Sequence, residues 1–547
     1  MNDSWKRLKN AGYRTRLYRY TLERQNSDGL VFLPQDPWLG DPSKANELFR
    51  GKYRFLGREA NAPNQPPWRL RPDDGDWSSE LHAFEWLRHF EAAGGEAALS
   101  QAQRLVRSWI DLCSDIDPKI WSPGVLGRRL IAFLSHGRFL TSQSTPSFQA
   151  AFIRSVHLQW RHLQRTVDDA PFGAPQLFAV ISLVYGALSL TGEENQLEKY
   201  LRRLEELASC LKLRDGECYS GSPSDLKGML EQFVALRGAV LGRGFDVPEW
   251  LQETIRLMAV ILQGLRHGDG GLALFNGGLE EQAADLDRVL EKVGVEEKRD
   301  LFNANCSAYQ RLAAGNTILL VASAAPAAGE FGRVGHSGGT AFEMSVGKHR
   351  LVVNCGSGRH RNGDWPEAAR ATAAHSTLHF ANANAWPILD DGGFGLNPAP
   401  LYCHRHGDDA GSNWLELRHE GYRQRFGLIH HRRIYLSGSG EDLRGEDRLE
   451  KTRPGGVEVA GKMFGDALVR FHLHPDVRAS ALQGGGTVLL RLADGKGWRF
   501  RASGAQVSMQ DSIYLGQFDR VRRSQQILLT SDSDADNTVI KWAFQRV

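Results

Sequence analysis

The chain has 547 residues, with 67 lysines and arginines against 64 aspartates and glutamates, a net charge of +3. That length exceeds what one compact core organises, so two or three domains are expected. Basic and acidic groups are interspersed rather than clustered, which argues against a nucleic-acid-binding protein.

Hydrophobic content of 41% and charged content of 24% are those of an ordinary globular chain. No stretch approaches the ~18 uninterrupted apolar residues of a membrane span. The first residues, MNDSWKRLKNAGYRTRLYRY, contain no apolar segment of the kind a secretory signal needs, so a cytoplasmic location is expected. Cysteines at 113, 210, 218, 306, 355 and 403 form no CxxC pair and read as reduced, buried thiols.

Residues 1–75 open as a basic helical arm and become irregular. Pro63, Pro66, Pro67 and Pro72, with Trp68 and Trp77 nearby, predict an extended segment laid over a larger body. Residues 76–280 carry helical spacing almost throughout, for example Leu105, Trp109 and Leu112, or Leu251, Ile255, Met258 and Leu262 after a first-turn Pro248. About eight helices with short links predict antiparallel helix pairs in a ring or solenoid, although no fixed repeat length recurs. Residues 281–305 are charged and read as a connecting helix or linker.

From 306 to 547 the pattern changes to strands: Tyr309 to Ala322, Gly339 to Asn354, Trp414 to His419 and Phe426 to Leu436. Val488 to Leu492 and Trp498 to Arg501 flank Asp494-Gly495, a strong hairpin signal. Strands with glycine-rich turns and no intervening helices predict an antiparallel β-sandwich. The basic run Arg418 to Arg433 reads as a solvated strand face.

Several segments carry groups with chemistry. In RHGDGGLALFNGG, five glycines lie beside Arg266, His267, Asp269 and Asn276; the loop reads either as a close-approach ligand loop or as a helix C-cap and turn. Tyr219, in RDGECYSGSP, has a hydroxyl in the range of a proton shuttle. His404 with His406, and His472 with His474, share a face if they lie in strands, but neither pair has a nearby third metal ligand. His336 and His375 bracket a hairpin whose Phe342, Met344 and Val346 alternate before a Gly347-Lys348 turn. Signatures of dinucleotide, phosphate-loop, serine-hydrolase and zinc-protease sites are absent from the sequence.

The segments GHSGGTAFEMSVGKHRLVVNCG and DWPEAARATAAHST resemble the heparinase II/III-like family of polysaccharide lyases. His336, Phe342, Leu351 to Gly356 and Arg370 to Thr377 match three family motifs in order. The resemblance implies an α/α toroid followed by an antiparallel β-sandwich. It also implies β-elimination on a uronic-acid glycan of heparin, heparan or alginate type. That chemistry needs a group to neutralise the uronate carboxylate, a base for the C5 proton and an acid for the leaving oxygen. No cofactor is required for it, although some members hold a structural zinc with histidines and an aspartate.

Carried across by position, His336 and His375 match family histidines, while the aspartate of the zinc motif falls on Asn354. The family's SPxYH motif falls on Ser222-Pro223-Ser224-Asp225-Leu226, without its tyrosine and histidine, and the NNH-like position falls near Gln176. Substitutes in this chain are Tyr219 as base and acid, or His375 or His267 as base with Arg266 or Gln176 neutralising the carboxylate. Asn276 and His336 complete the expected substrate contacts, and His336, Asn354 and His375 form a degenerate zinc site. The competing expectation is a catalytically degenerate protein that binds an acidic oligo- or polysaccharide or serves as a cytoplasmic scaffold.

Overall fold

A computed structural model describes residues 9, 11–23, 29–63, 65–70, 75–113, 115–213, 220–294, 308–408, 411–452, 465–482, 486–518, 520–531 and 538–547. Helices come first and sheets second, as the hydrophobic spacing predicts. The chain forms two compact units, Met1–Arg214 with Glu231–Ile255 and Asp215–Leu230 with Arg256–Val547. Among the described residues no helix is long and apolar enough to cross a membrane.

In the first unit the main helices are Gly95–Leu112, Pro123–Ser135, Pro146–Thr166, Ala174–Ser189 and Leu197–Cys210. Prolines occupy the first turns of three of these, where a missing N–H costs nothing. Thr145 caps one start by accepting from Phe148 N at 3.2 Å. Helices Pro123–Ser135 and Ala174–Ser189 approach so closely that a Cβ on Gly127 would lie 2.7 Å from Phe178 O.

The core of this unit is aromatic and encloses a fully buried cation. Arg129 is fully buried and lies 4.3 Å from the Trp109 ring centre. It donates to Gln159 Oε1 at 2.7 Å and to His82 O and Ile120 O, each at 2.9 Å. Burial without a carboxylate partner lowers its pKa to about 9. The proline-rich stretch contributes a short hairpin, β1 (Lys52–Phe55) and β2 (Arg58–Asn61), and a 3₁₀ turn at Pro67–Arg69; Trp68 and Trp77 are buried.

The second unit holds two antiparallel sheets. One is built from β3 (Tyr309–Ala314), β4 (Thr317–Ala322), β5 (Phe342–Val346), β6 (His349–Val353), β7 (Leu378–Phe380), β12 (Ala467–Leu473), β16 (Ala505–Tyr514) and β17 (Arg522–Ser531). Its order is β16-β17-β12-β6-β5-β4-β3, with β7 also paired to β12. The other is built from β8 (Leu401–Gly407), β9 (Asn413–His419), β10 (Leu428–Leu436), β11 (Asp442–Lys451), β13 (Arg478–Ala481), β14 (Thr487–Arg491), β15 (Gly497–Ser503) and β18 (Val539–Arg546). Its order is β13-β14-β15-β18-β11-β10-β9-β8. The inward residues of both sheets, among them Leu319, Phe342, Leu417, Ile434, Phe471, Phe500 and Trp542, form one apolar core.

Three sequence expectations change in detail. Tyr309 to Ala322 is a hairpin rather than one strand, because Gly315 takes φ +53° and turns the chain. The basic run is not solvated throughout: Arg433 points outward, but Arg432 is fully buried. Of the described cysteines, Cys113 and Cys355 are buried and Cys403 is half-buried, whereas Cys210 is exposed; Cys218 and Cys306 lie outside the described residues.

Arg432 survives in the core because four of its five N–H groups are answered and its charge is paired with Asp447. Its guanidinium donates to Asp447 Oδ1 at 2.8 Å and Oδ2 at 3.0 Å, and to Thr340 O and Ser376 O at 2.9 Å. Trp542 Nε1 also donates to Asp447, at 2.8 Å, and a Cβ on Gly445, its cross-strand partner, would strike the indole. Asp447→Ala therefore leaves a buried guanidinium unpaired and is expected to destabilise the protein by about 3–5 kcal/mol in denaturant titration. A loss below about 1 kcal/mol would contradict this account of the core.

Candidate functional site

The histidines His336 and His375 meet within the second unit. His336 Nδ1 lies 3.1 Å from His375 Nε2, with the rings edge to face at 81°. His375 Nδ1 is 2.8 Å from Ala371 O, which can only accept, so this nitrogen carries the proton. Neutral His375 then accepts at Nε2 from His336 Nδ1–H, and His336 Nε2 keeps a lone pair. That nitrogen faces Gly277 and Ser357: a Cβ on Gly277 would lie 3.3 Å from it and 3.5 Å from Ser357 Oγ.

Both rings are poor bases. Burial lowers the His375 pKa to about 4, and burial, reinforced by His375, Arg370 and Arg359, holds His336 well below the ordinary imidazole value.

The loop with Arg266 to Gly278 builds the wall beside this pair. Asn276 adopts φ 48° and ψ 45°, a left-handed conformation that asparagine tolerates better than most residues. Its Oδ1 accepts from His336 N at 2.9 Å, and its Nδ2 donates to the Tyr309 hydroxyl at 2.8 Å. Tyr309 in turn donates to Gly221 O and stacks on Phe275 at 4.9 Å.

His267 and Asn354 converge on a residue that the sequence reading missed, Glu343. Its side chain is fully buried and bonds His267 Nε2 at 2.9 Å; His267 Nδ1 lies 3.0 Å from Ser345 Oγ. The carboxylate also accepts from Leu274 N at 3.1 Å, Asn354 N at 3.0 Å and Asn354 Nδ2 at 2.8 Å. Asn354 Oδ1 accepts from Ser376 N at 2.9 Å, one residue from His375. His267, Glu343, Asn354, His375, His336, Asn276 and Tyr309 are thus one connected polar network.

The remaining expected residues are not shown to join it. Arg266 donates to Gly270 O, Gln263 Oε1 and Asp287 Oδ1 at 2.7–3.0 Å, which makes it a clamp on its own loop. Gln176 belongs to the helical unit, at the start of Ala174–Ser189, where its Oε1 is buried without a hydrogen-bond partner. Tyr219 lies outside the described residues.

Asp225, at the tyrosine position of the SPxYH motif, pairs with Arg359 through two bonds of 2.9 and 3.2 Å and accepts from Ser220 Oγ at 2.7 Å. Neither Asp225 nor Arg359 was singled out from the sequence. Asp225 was findable, since it fills the motif position; Arg359 sits in an unpatterned loop.

The residues present do not fit a zinc ion. The two imidazoles face each other, but the Asn354 amide is engaged by Glu343 and Ser376. Among the described residues no three His, Cys, Asp or Glu side chains are placed to hold a metal.

Residues 296–543 match the family model for the heparinase II/III-like C-terminal domain. This part of the chain is a heparinase II/III-like domain. Over 533 residues, 94% of this chain and 89% of the relative, the sequence is 28% identical to FtsZ-localized protein C of Caulobacter vibrioides. A heparinase III structure aligns with 99% of this chain and 91% of its own length, at TM-score 0.73 and 12% identity. A heparan sulfate lyase of Pedobacter heparinus aligns with 97% of this chain and 87% of its own length, at TM-score 0.62 and 14% identity. The chain therefore has the toroid-plus-sandwich fold, and its departures from the heparinase II/III-like motifs lie within that fold.

Two measurements test this network. Asn354→Asp places a second carboxylate against Glu343 and is expected to destabilise the protein by about 3 kcal/mol, read by denaturant titration; an unchanged midpoint would remove Glu343 from the centre of the site. Burial also lowers His379 to about 4 and His472 to about 3, alongside His375. Unfolded histidines near pKa 6.5 bind protons that these native rings refuse, so stability is full above pH ~6.5 and falls toward pH 4. The expected slope is on the order of 1 kcal/mol per pH unit for each ring, measured by denaturant unfolding at several pH values. A flat profile from pH 7 to 4.5 would contradict the burial of neutral histidines.

Proposed function

We propose that this chain is a lyase-fold protein that does not carry out β-elimination and acts instead as a binding or scaffold protein at the FtsZ assembly. The observation that carries this reading is the Asp225–Arg359 pair. Elimination on a uronate needs a cation for the substrate carboxylate, so that the C5 proton becomes acidic enough to remove. Here the arginine of the site is already neutralised by a carboxylate, and that carboxylate occupies the motif position of the family's proton-transfer tyrosine. An incoming uronate meets an anion where it needs a cation.

The available bases support the same reading. His267 is held between Ser345 and Glu343, and burial lowers its pKa. His375 is neutral at pH 7, but with a pKa of about 4 it gives little driving force for taking a carbon-bound proton. The relative named for its localisation with FtsZ supplies the assembly, through a likeness that spans nearly the whole chain.

Incubation with heparan sulfate, alginate and hyaluronan is expected to give no increase in the absorbance of unsaturated uronate, while the protein co-sediments with FtsZ polymers. Turnover that drops by ~10²-fold on Tyr219→Phe or His375→Ala would overturn the non-catalytic reading. Absence of co-sedimentation would overturn the scaffold reading.

A further inference from the structure

Strand alternation in the β13-β14-β15-β18-β11-β10-β9-β8 sheet turns Leu415, Ile434, Leu443, Phe500 and Phe544 into the core and leaves their neighbours on the outer face. Cross-strand register sorts those neighbours into rows perpendicular to the strands. One row reads Lys541–Glu446–Arg433–Glu416, positive and negative in turn on β18, β11, β10 and β9. Lys541 pairs with Glu446 at 3.7 Å and Arg433 with Glu416 at 3.3 Å, so the row is neutral as a whole. Both cations nevertheless stay largely open to solvent, Lys541 at 64% and Arg433 at 65%.

The adjacent row reads Arg501–Ala543–Arg444–Tyr435–Trp414–His406, with cations at one end and rings at the other. His406 stacks on Trp414 at 5.8 Å, and Trp414 lies 6.4 Å from Tyr435. Ala543, the small residue between Arg501 and Arg444, lines a groove of about 780 Å³ together with Gly445 and members of both rows.

We propose that this face is the contact between two copies of the chain, related by a two-fold axis that runs parallel to the strands between β11 and β10. Such an axis sets each row opposite itself in reversed order. Reversal brings Glu446 against Arg433 of the second copy and Lys541 against Glu416 of the second copy, each pair occurring twice. The ion pairs within a row stay as they are, and each carboxylate gains a second cation from across the interface.

The same axis acts on the adjacent row. It lays Arg444 on the Tyr435 ring of the second copy and Arg501 on its His406, and it carries Trp414 over Ala543, where the groove has room for an indole. Two rows of unrelated chemistry are thus self-complementary about one axis. The flanking row, Val539–Arg448–His431–Arg418–Tyr402, brings its own carboxylates, since Glu450 pairs with His431 and Arg448 and Glu420 with Arg418.

The order of the charges, rather than their sum, selects this occupant. A row that sums to zero gives no net pull on a polyanion or a polycation, but its own reversed image matches it at every position. The size also fits. Six strands at about 4.8 Å and three rows at about 6.7 Å cover on the order of 600 Å², the low end of what one partner buries in a specific dimer. The dimer is therefore reversible and concentration-dependent.

Sedimentation equilibrium of the full-length protein from about 1 to about 100 µM is expected to show monomer and dimer in exchange. Arg433→Glu alone sets carboxylates face to face, and Glu446→Arg alone sets guanidinium groups face to face. Each is expected to weaken dimerisation at least about tenfold, as is Trp414→Ala. An equal mixture of Arg433→Glu and Glu446→Arg protein is expected to associate again, because every carboxylate of one variant then meets a cation of the other. That recovery separates a direct contact from a folding defect, which mixing does not repair. The melting temperatures of the two charge variants are expected to stay within a few degrees of the parent, since the in-row pairs are exposed. A parent that remains monomeric at about 100 µM, a dimer that survives any of the three variants, or a mixture that remains monomeric would overturn the proposal. FtsZ and saccharides are absent from this assay, so its failure leaves the scaffold reading to its own test.

Discussion

A carboxylate removed completely from water must have its charge answered by donors, and Glu343 is the carboxylate on which the second unit is arranged. It collects Leu274 N from the Arg266 to Gly278 loop, Asn354 N and Nδ2 from the end of β6, and His267. Two separate pieces of chain, the loop and the end of β6, are therefore fixed relative to β5 by one residue. The positions of His336 and His375 follow, since Asn354 holds Ser376 and the loop places Asn276 against the backbone of His336.

The same arrangement explains why Asn354 stands where the family motif has an aspartate. With Glu343 at 2.8 Å, an amide supplies a hydrogen where a second carboxylate would supply repulsion. The change from metal-ligand type to amide and the polar network around Glu343 are one design. His267, a plausible base from its sequence context, is drawn into that design as a donor.

Much of the frame was legible before any coordinates. The change from period-3.6 to period-2 spacing near residue 306, the Gly347-Lys348 and Asp494-Gly495 turns and the three ordered motifs all depend on local chemistry that a sequence records. Glu343 was not legible, because alternation marked Phe342 and Met344 as the buried face of β5 and left Glu343 to solvent. The strand is in fact buried on both faces, since the glycine-rich loop covers the second. Arg432 escaped notice for the same reason, as its partner Asp447 is paired through cross-strand register. Arg359 and Asp225 are 134 positions apart, and only the fold brings them together.

The fixed tautomers of His375 and His336 have a consequence for recognition. Because Ala371 O pins one end of the chain of protons, the nitrogen turned toward Gly277 and Ser357 offers electrons without charge and has no hydrogen to give. Such a nitrogen greets a hydroxyl or an amide N–H and is indifferent or averse to a carboxylate oxygen.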